Sequence, residues 1–277
     1  MHMRRRRFAS TGLIGLTGLT GLAGPDLLGR AVAGPDLVGL IASLKPSLCA
    51  VGTHNPLDSP RFRFRGSGFF VGDGSIVATC WHVLPQARLG AAPDAPPEAE
   101  KPGLTSLAIL IPSESDVPEL REAELLAADR THDLALLRIK GRPGVPVRLA
   151  ADDAAREGME VALMGFPIGG VLGFRPVTHH GIVAALVDSS LPTANASRLS
   201  EAAVARAREG RFELLQLDAT AYPGNSGGPL FDAQTQQLVG IVNMVLLKGN
   251  RESALSQPTG ITYAVPVRWL RALLAGR

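Results

Sequence analysis

The chain has 277 residues, 45% hydrophobic and 19% charged, which is enough apolar material for a sizeable core and too few charges for a disordered chain. Its formal net charge is +3, but five arginines and one aspartate lie in residues 1–33, so without that segment the charge is −1 and nucleic-acid binding is not expected. Two cysteines exclude a disulfide-dense scaffold and cannot build a structural zinc site alone; with no H-E-x-x-H motif either, no metal or other cofactor is expected.

In chain order, Arg4-Arg5-Arg6-Arg7-Phe8 precedes a mildly apolar Gly/Thr/Leu run to Ala23, the layout of an export signal over residues 1–33. The paired arginines fit a twin-arginine type, with small-x-small cleavage sites at Gly21-Leu22-Ala23 and Ala31-Val32-Ala33. The run is too short and glycine-rich for a spanning helix, and an uncleaved anchor is the lesser alternative to a periplasmic or secreted protein. The rest, 34–277, reads as one domain. Short apolar runs recur between Gly, Pro and Asp turns at Leu48–Gly52, Phe69–Gly72, Leu107–Ile111, Leu134–Ile139, Val161–Met164, Ile182–Val187, Leu214–Leu217, Leu238–Leu247 and Ile261–Val265. Ser75 to Leu84 is a further β-rich run, and a terminal helix is expected from Val267 to Leu274. Gln86–Gly103, rich in Ala, Pro and Glu, reads as a mobile loop, and Arg198–Arg208 carries strong helix formers. Each is either a gate for a cleft or a plain surface feature.

Chemistry concentrates at Gly224-Asn225-Ser226-Gly227-Gly228-Pro229-Leu230, where one serine stands among glycines. Glycine reaches conformations other residues avoid, so Gly224 can aim its N–H beside that of Ser226 at one developing oxyanion. All six histidines (His2, His54, His82, His132, His179 and His180) precede Ser226, which rules out the Ser–acid–His order of a nucleophile elbow. The His–Asp–Ser and Asp–His–Ser orders both stay open. His2 and His54 read as solvated, and His132 as a surface turn. His179 and His180 would point to opposite faces of a strand, one toward the core and one toward solvent. His82 closes a buried β-rich run and is the candidate base. Asp133 begins an apolar run directly at a carboxylate, whose desolvation an imidazole N–H would offset. Asp129 reads as a turn or cap.

Thr79-Cys80-Trp81-His82-Val83, Asp129 to Leu136 and Pro223 to Leu230 together resemble the three catalytic boxes of trypsin-like serine proteases, most closely the bacterial HtrA/Deg proteases. Supporting stretches at Gly66–Val71, Val161–Pro167 with Gly181–Val183, and Gly260–Pro266 extend the resemblance over about residues 36–275. The resemblance implies an all-β fold of two six-stranded antiparallel barrels, about 46–140 and 155–265, with a short C-terminal helix and a cleft between the barrels. It implies a serine endopeptidase acting on polypeptides, with His82, Asp133 and Ser226 as triad and the N–H groups of Gly224 and Ser226 as oxyanion hole.

The departures narrow that resemblance. Asn225 stands where digestive trypsin-like enzymes carry an aspartate, so clip-activated switching is not expected. Thr220 stands where trypsin places its acid, so cleavage after Lys or Arg is not expected either. Thr220, Val242, Asn243 and Met244 are the expected pocket liners, for a small or medium apolar side chain. The family usually adds a PDZ module, which is not expected here with eleven residues after Pro266, and its members are often trimers, a possible homo-oligomer by resemblance alone. Two alternatives keep the same residues: a catalytically silent peptide-binding pseudoprotease, and an esterase. Export makes a Cys49–Cys80 disulfide chemically feasible, but spacing does not decide it.

Overall fold

Antiparallel pairing of short, two-sided apolar strands closes this chain into two barrels. The computed structural model describes residues 34–85, 104–113, 117–167, 173–189, 212–243 and 260–276. The expected leader, the Gln86–Gly103 loop, the Arg198–Arg208 helix and Met244 lie outside the described residues. Both barrels belong to the unit Pro35–Arg277.

The first barrel comprises β1 (Leu48–His54), β2 (Phe62–Val71), β3 (Ile76–Cys80), β4 (Ser106–Ile111), β5 (Glu119–Asp129) and β6 (Leu134–Ile139), in the closed order β1-β2-β3-β6-β5-β4. The second comprises β7 (Glu160–Gly165), β8 (Val177–Asp188), β9 (Glu213–Asp218), β10 (Pro229–Asp232), β11 (Leu238–Val242) and β12 (Ile261–Pro266). It closes as β7-β8-β9-β12-β11-β10, the same order displaced by six strands. The expected pair of six-stranded barrels is therefore present. The third strand of each barrel carries the chain toward a candidate site residue: β3 ends two residues before His82, and β9 feeds the loop holding Ser226.

Local chemistry accounts for several of these elements. Between β2 and β3, Gly74 has φ +86, and the Asp73 carboxylate accepts the Ser75 N–H and hydroxyl at 2.9 and 2.6 Å. Pro229, with no N–H to give to a ladder, sits at the first residue of β10. A helix that the apolar runs did not indicate, α1 (Leu37–Leu44), starts where Asp36 caps the Gly39 N–H at 2.9 Å, and it buries Leu40 and Leu44 one turn apart. The expected terminal helix appears as α2 (Val267–Ala275), anchored by buried Val267 and Leu270. Among the described residues no helix is long and apolar enough to cross a membrane.

β5 shows tertiary context overriding composition. Its Glu-Leu-Arg-Glu-Ala-Glu-Leu-Leu-Ala-Ala run has helical propensity, yet it is a strand because β4 and β6 pair with it on both sides.

The core joins the barrels. Val161 and Leu163 of β7, with Val239 and Val242 on either side of the irregularity in β11, pack in the second barrel's own cluster, while Ala162, Met164, Leu238 and Ile241 pack in one cluster with first-barrel residues such as Phe69, Val51 and Leu137. Phe231 on β10 belongs to that shared cluster and is fully buried. Replacing Phe231 by Ala is expected to cost about 3–5 kcal/mol in urea-induced unfolding, because the seam cannot collapse around the lost ring.

Candidate active site

The register of β3 against β6 dictates the first half of the site. Cys80 pairs with Leu134, so the residues just beyond those strand ends, His82 and Asp133, are brought together. His82 lies in a single helical turn, Trp81–Val83. Asp133 adopts a left-handed φ of 56, which an aspartate tolerates better than most residues. Its Oδ1 accepts the His82 backbone N–H at 2.9 Å and its Oδ2 meets His82 Nδ1 at 2.5 Å. An ionised carboxylate only accepts, so Nδ1 carries the proton and Nε2 is left as the basic nitrogen.

A third donor comes from the other barrel. Asn243, immediately after β11, gives Nδ2–H to Asp133 Oδ2 at 2.8 Å. Its amide is thus engaged on the acid and only 2% of the residue is exposed, which argues against its expected place as a pocket liner. Val242 needs the same correction: its side chain is sealed in the second barrel's core and has no surface to offer a substrate. Thr220 is half-buried and remains available to a pocket.

The serine loop is seated against the first barrel by close backbone approach. A Cβ on Gly66 of β2 would lie 2.8 Å from Ser226 O and 2.7 Å from the side chain of Val83, the residue after His82. Gly227, at φ +81, could carry no side chain, since a Cβ there would meet Ser67 O at 2.3 Å and Thr79 Oγ1 at 2.4 Å. Ser226 O and the side chain of Val83 thus flank the same point of β2.

Ser67, fully buried, is the hub that the sequence reading missed. Its N–H donates to Ser226 O at 2.8 Å, its hydroxyl donates to Gly224 O at 2.6 Å, and that hydroxyl accepts the Phe166 N–H at 2.9 Å. The only sequence signal for it is a polar residue between two glycines inside an apolar strand. Within the loop, Asn225 O accepts the Gly228 N–H at 2.9 Å, which pins the peptide carrying the Ser226 N–H. Gly224 has φ +104, a value that sets its own N–H direction and strains any other residue.

Cys80 Sγ and the donor atoms of His82 and Asp133 lie within 4.8 Å of one another. Burial foremost, and then the Asp133 charge, push the Cys80 thiol well above its ordinary range, against an opposing hydrogen bond from the Gly227 backbone. A thiol held protonated is a poor metal ligand. Cys49 is also pushed up by burial, which outweighs the Arg121 charge, and both cysteines are free.

The remaining histidines divide clearly. His54 ends β1, and on β8 His180 is exposed while half-buried His179 lies 5.7 Å from the Tyr222 ring. His132 lies in a turn, as expected, but its side chain is only 13% exposed and is covered rather than at the surface.

Two barrels of one topology, with a His–Asp pair on the first and a glycine-bound serine on the second, form the chymotrypsin-like arrangement. The trypsin-like peptidase domain model matches residues 66–241, more than half of the chain, and the chain belongs to that family. Among characterised relatives, the serine protease PepD of Mycobacterium tuberculosis is 31% identical over 145 residues, covering 52% of this chain and 28% of the relative. A probable periplasmic DegP-like serine endoprotease of Ectopseudomonas mendocina is 27% identical over 205 residues, 73% of this chain and 32% of the relative. The chain thus spans about a third of the length of these relatives. The crystal structure of Deg5 superposes with a TM-score of 0.56 over 85% of this chain and 90% of that one, at 22% identity, which supports the fold.

Ser67→Ala would leave Gly224 O and the Phe166 N–H buried without that partner. It is expected to cost about 1–3 kcal/mol in urea unfolding, and turnover should fall more than KM rises. His179 gives a pH test. Burial holds its pKa below the ordinary value, so it stays neutral in the fold while the unfolded chain takes up a proton near about pH 6.5. Between those two pKa values the unfolded state binds more protons, so stability is present above the unfolded pKa and is lost as pH falls. Urea titrations at about pH 5 and about pH 7 should show this loss, and His179→Gln should reduce it.

Proposed function

We propose that this chain is an exported serine endopeptidase that cleaves unfolded or exposed polypeptide segments through an acyl-enzyme. The observation that carries the reading is the two-point contact of Asp133 with His82, at 2.9 and 2.5 Å, facing a serine loop pinned by Ser67. Family membership supports a serine-type hydrolase.

In this reading Ser226 Oγ attacks the scissile carbonyl carbon as its proton passes to His82 Nε2. Asp133 keeps Nδ1 protonated and stabilises the imidazolium that forms, while the Asn243 amide donates to the same carboxylate oxygen, Oδ2. The carbonyl oxygen, now negative, is received by the N–H groups of Gly224 and Ser226; one such donor is worth about 3–4 kcal/mol in the transition state. Imidazolium then returns the proton to the leaving amine as the C–N bond breaks. Water, activated by the same nitrogen, cleaves the ester and regenerates Ser226.

Half-buried Thr220, with no acid at that position, favours a small or medium apolar residue before the scissile bond over Lys or Arg. The arginine-headed leader and the periplasmic designation of a DegP-like relative support export.

The test is covalent labelling of the mature protein with a fluorophosphonate, beside turnover of unfolded casein and of short-chain esters. Labelling at Ser226, with casein cleavage abolished in Ser226→Ala, is the expected result. Ester-only turnover would support an esterase, and absence of labelling under all conditions would support the silent pseudoprotease. Mass spectrometry of peptide-library products reads the pocket preference.

A further inference from the structure

The turn that presents Asp133 is fastened from outside the site. It runs from Asp129 at the end of β5 to Asp133 before β6. Its last residue is the left-handed one, φ 56, and the Asp133 N–H donates to Arg130 O over a long 3.4 Å. A non-glycine residue in that region persists where its surroundings over-determine it. Two contacts come from within the first barrel: the Trp81 N–H donates to Asp133 O at 3.0 Å, and the Arg130 guanidinium lies 4.8 Å over the Trp81 ring.

The remaining fastening is a second histidine–aspartate pair. Asp129 Oδ1 accepts the His132 N–H at 3.0 Å and Oδ2 meets His132 Nδ1 at 2.6 Å, the same two-point pattern that Asp133 makes with His82. The His132 ring lies flat on Trp269 of α2, with centroids 3.7 Å apart and planes at 16°, and Phe212 closes its edge at 4.6 Å. Arg268 beside Trp269 pairs with Glu213 beside Phe212 at 3.0 Å, so helix and strand hold the stack together. His132 is the residue directly before the acid. A shift of its ring is therefore transmitted through one peptide to Asp133.

We propose that His132 and Trp269 are positioning residues for Asp133: the Asp129–His132 pair, stacked on the C-terminal helix, holds the acid turn in the conformation that gives both carboxylate oxygens to His82. This rests on the reading of His82, Asp133 and Ser226 as a triad. It also assigns α2 a task beyond covering the core, since the terminal helix then controls the geometry of the base.

The test uses the mature protein with Trp269→Ala, Trp269→Phe and His132→Phe; the last keeps a ring against Trp269 while releasing Asp129. At a temperature where each variant is folded, Trp269→Ala and His132→Phe should lower kcat on casein about 10- to 100-fold with KM nearly unchanged, as small misplacements of catalytic groups do. The acidic limb of the kcat profile should move to lower pH, because a less engaged Asp133 stabilises the His82 imidazolium less. Trp269→Phe, retaining a flat ring, should restore most of the activity. Proton NMR reads the same geometry without turnover: the far-downfield Nδ1 proton of His82 should shift or broaden in Trp269→Ala and His132→Phe. Unchanged kcat, acidic limb and His82 proton in these variants, even with a lowered Tm, would overturn the proposal. A wild-type protein with no Ser226-dependent turnover would instead sink the protease reading, and the NMR comparison would still judge the positioning.

Discussion

The Asp133 carboxylate accepts hydrogen bonds from two barrels at once, and the site is organised around that fact. Two donors come from His82 beside it on the first barrel, and the third comes from Asn243 at the end of a second-barrel strand. A partly buried carboxylate costs free energy unless donors replace its hydration. Here the replacements are the same contacts that orient the imidazole and tie the barrels together. The His82 imidazole and the seam between the barrels are thus held by one set of interactions.

Such a seam requires backbones to come closer than side chains permit. Gly66 lies against Ser226 O, and Gly227 against Ser67 O and Thr79, where a Cβ would sit at 2.3 and 2.4 Å. The glycines flanking the serine therefore serve two purposes. They give the loop its left-handed turns at Gly224 and Gly227, and they let that loop dock on β2 and β3 of the other barrel. Ser67 supplies the polar groups that this docking needs, satisfying Gly224 O and the Phe166 N–H in a place water does not reach.

Much of the fold was legible. β6 matches its apolar run residue for residue, because Asp133 and Lys140 bound it with polar groups. The run from Leu238 was expected to reach Leu247; β11 covers Leu238–Val242, Asn243 then turns its amide to Asp133, and 244–247 lie outside the described residues. β5 was not legible, since its Glu-, Ala- and Leu-rich composition indicates a helix and only its two neighbouring strands make it one of theirs. His132 was misjudged for a related reason. Its sequence neighbours are polar, but Trp269, 137 positions downstream, covers it.

By itself the sequence determined the order of the three chemical groups, the residue types at each, and the glycines a serine loop needs. These are local properties, carried by residues within a few positions of one another. Only the tertiary structure decided what Asn243, Val242, Ser67 and Trp269 do. Val242 and Asn243 are adjacent, yet strand alternation seals one in the core and sends the other to the acid. Ser67 and Trp269 act on partners 157 and 137 positions away. Barrel closure sets those distances, and no local pattern encodes them.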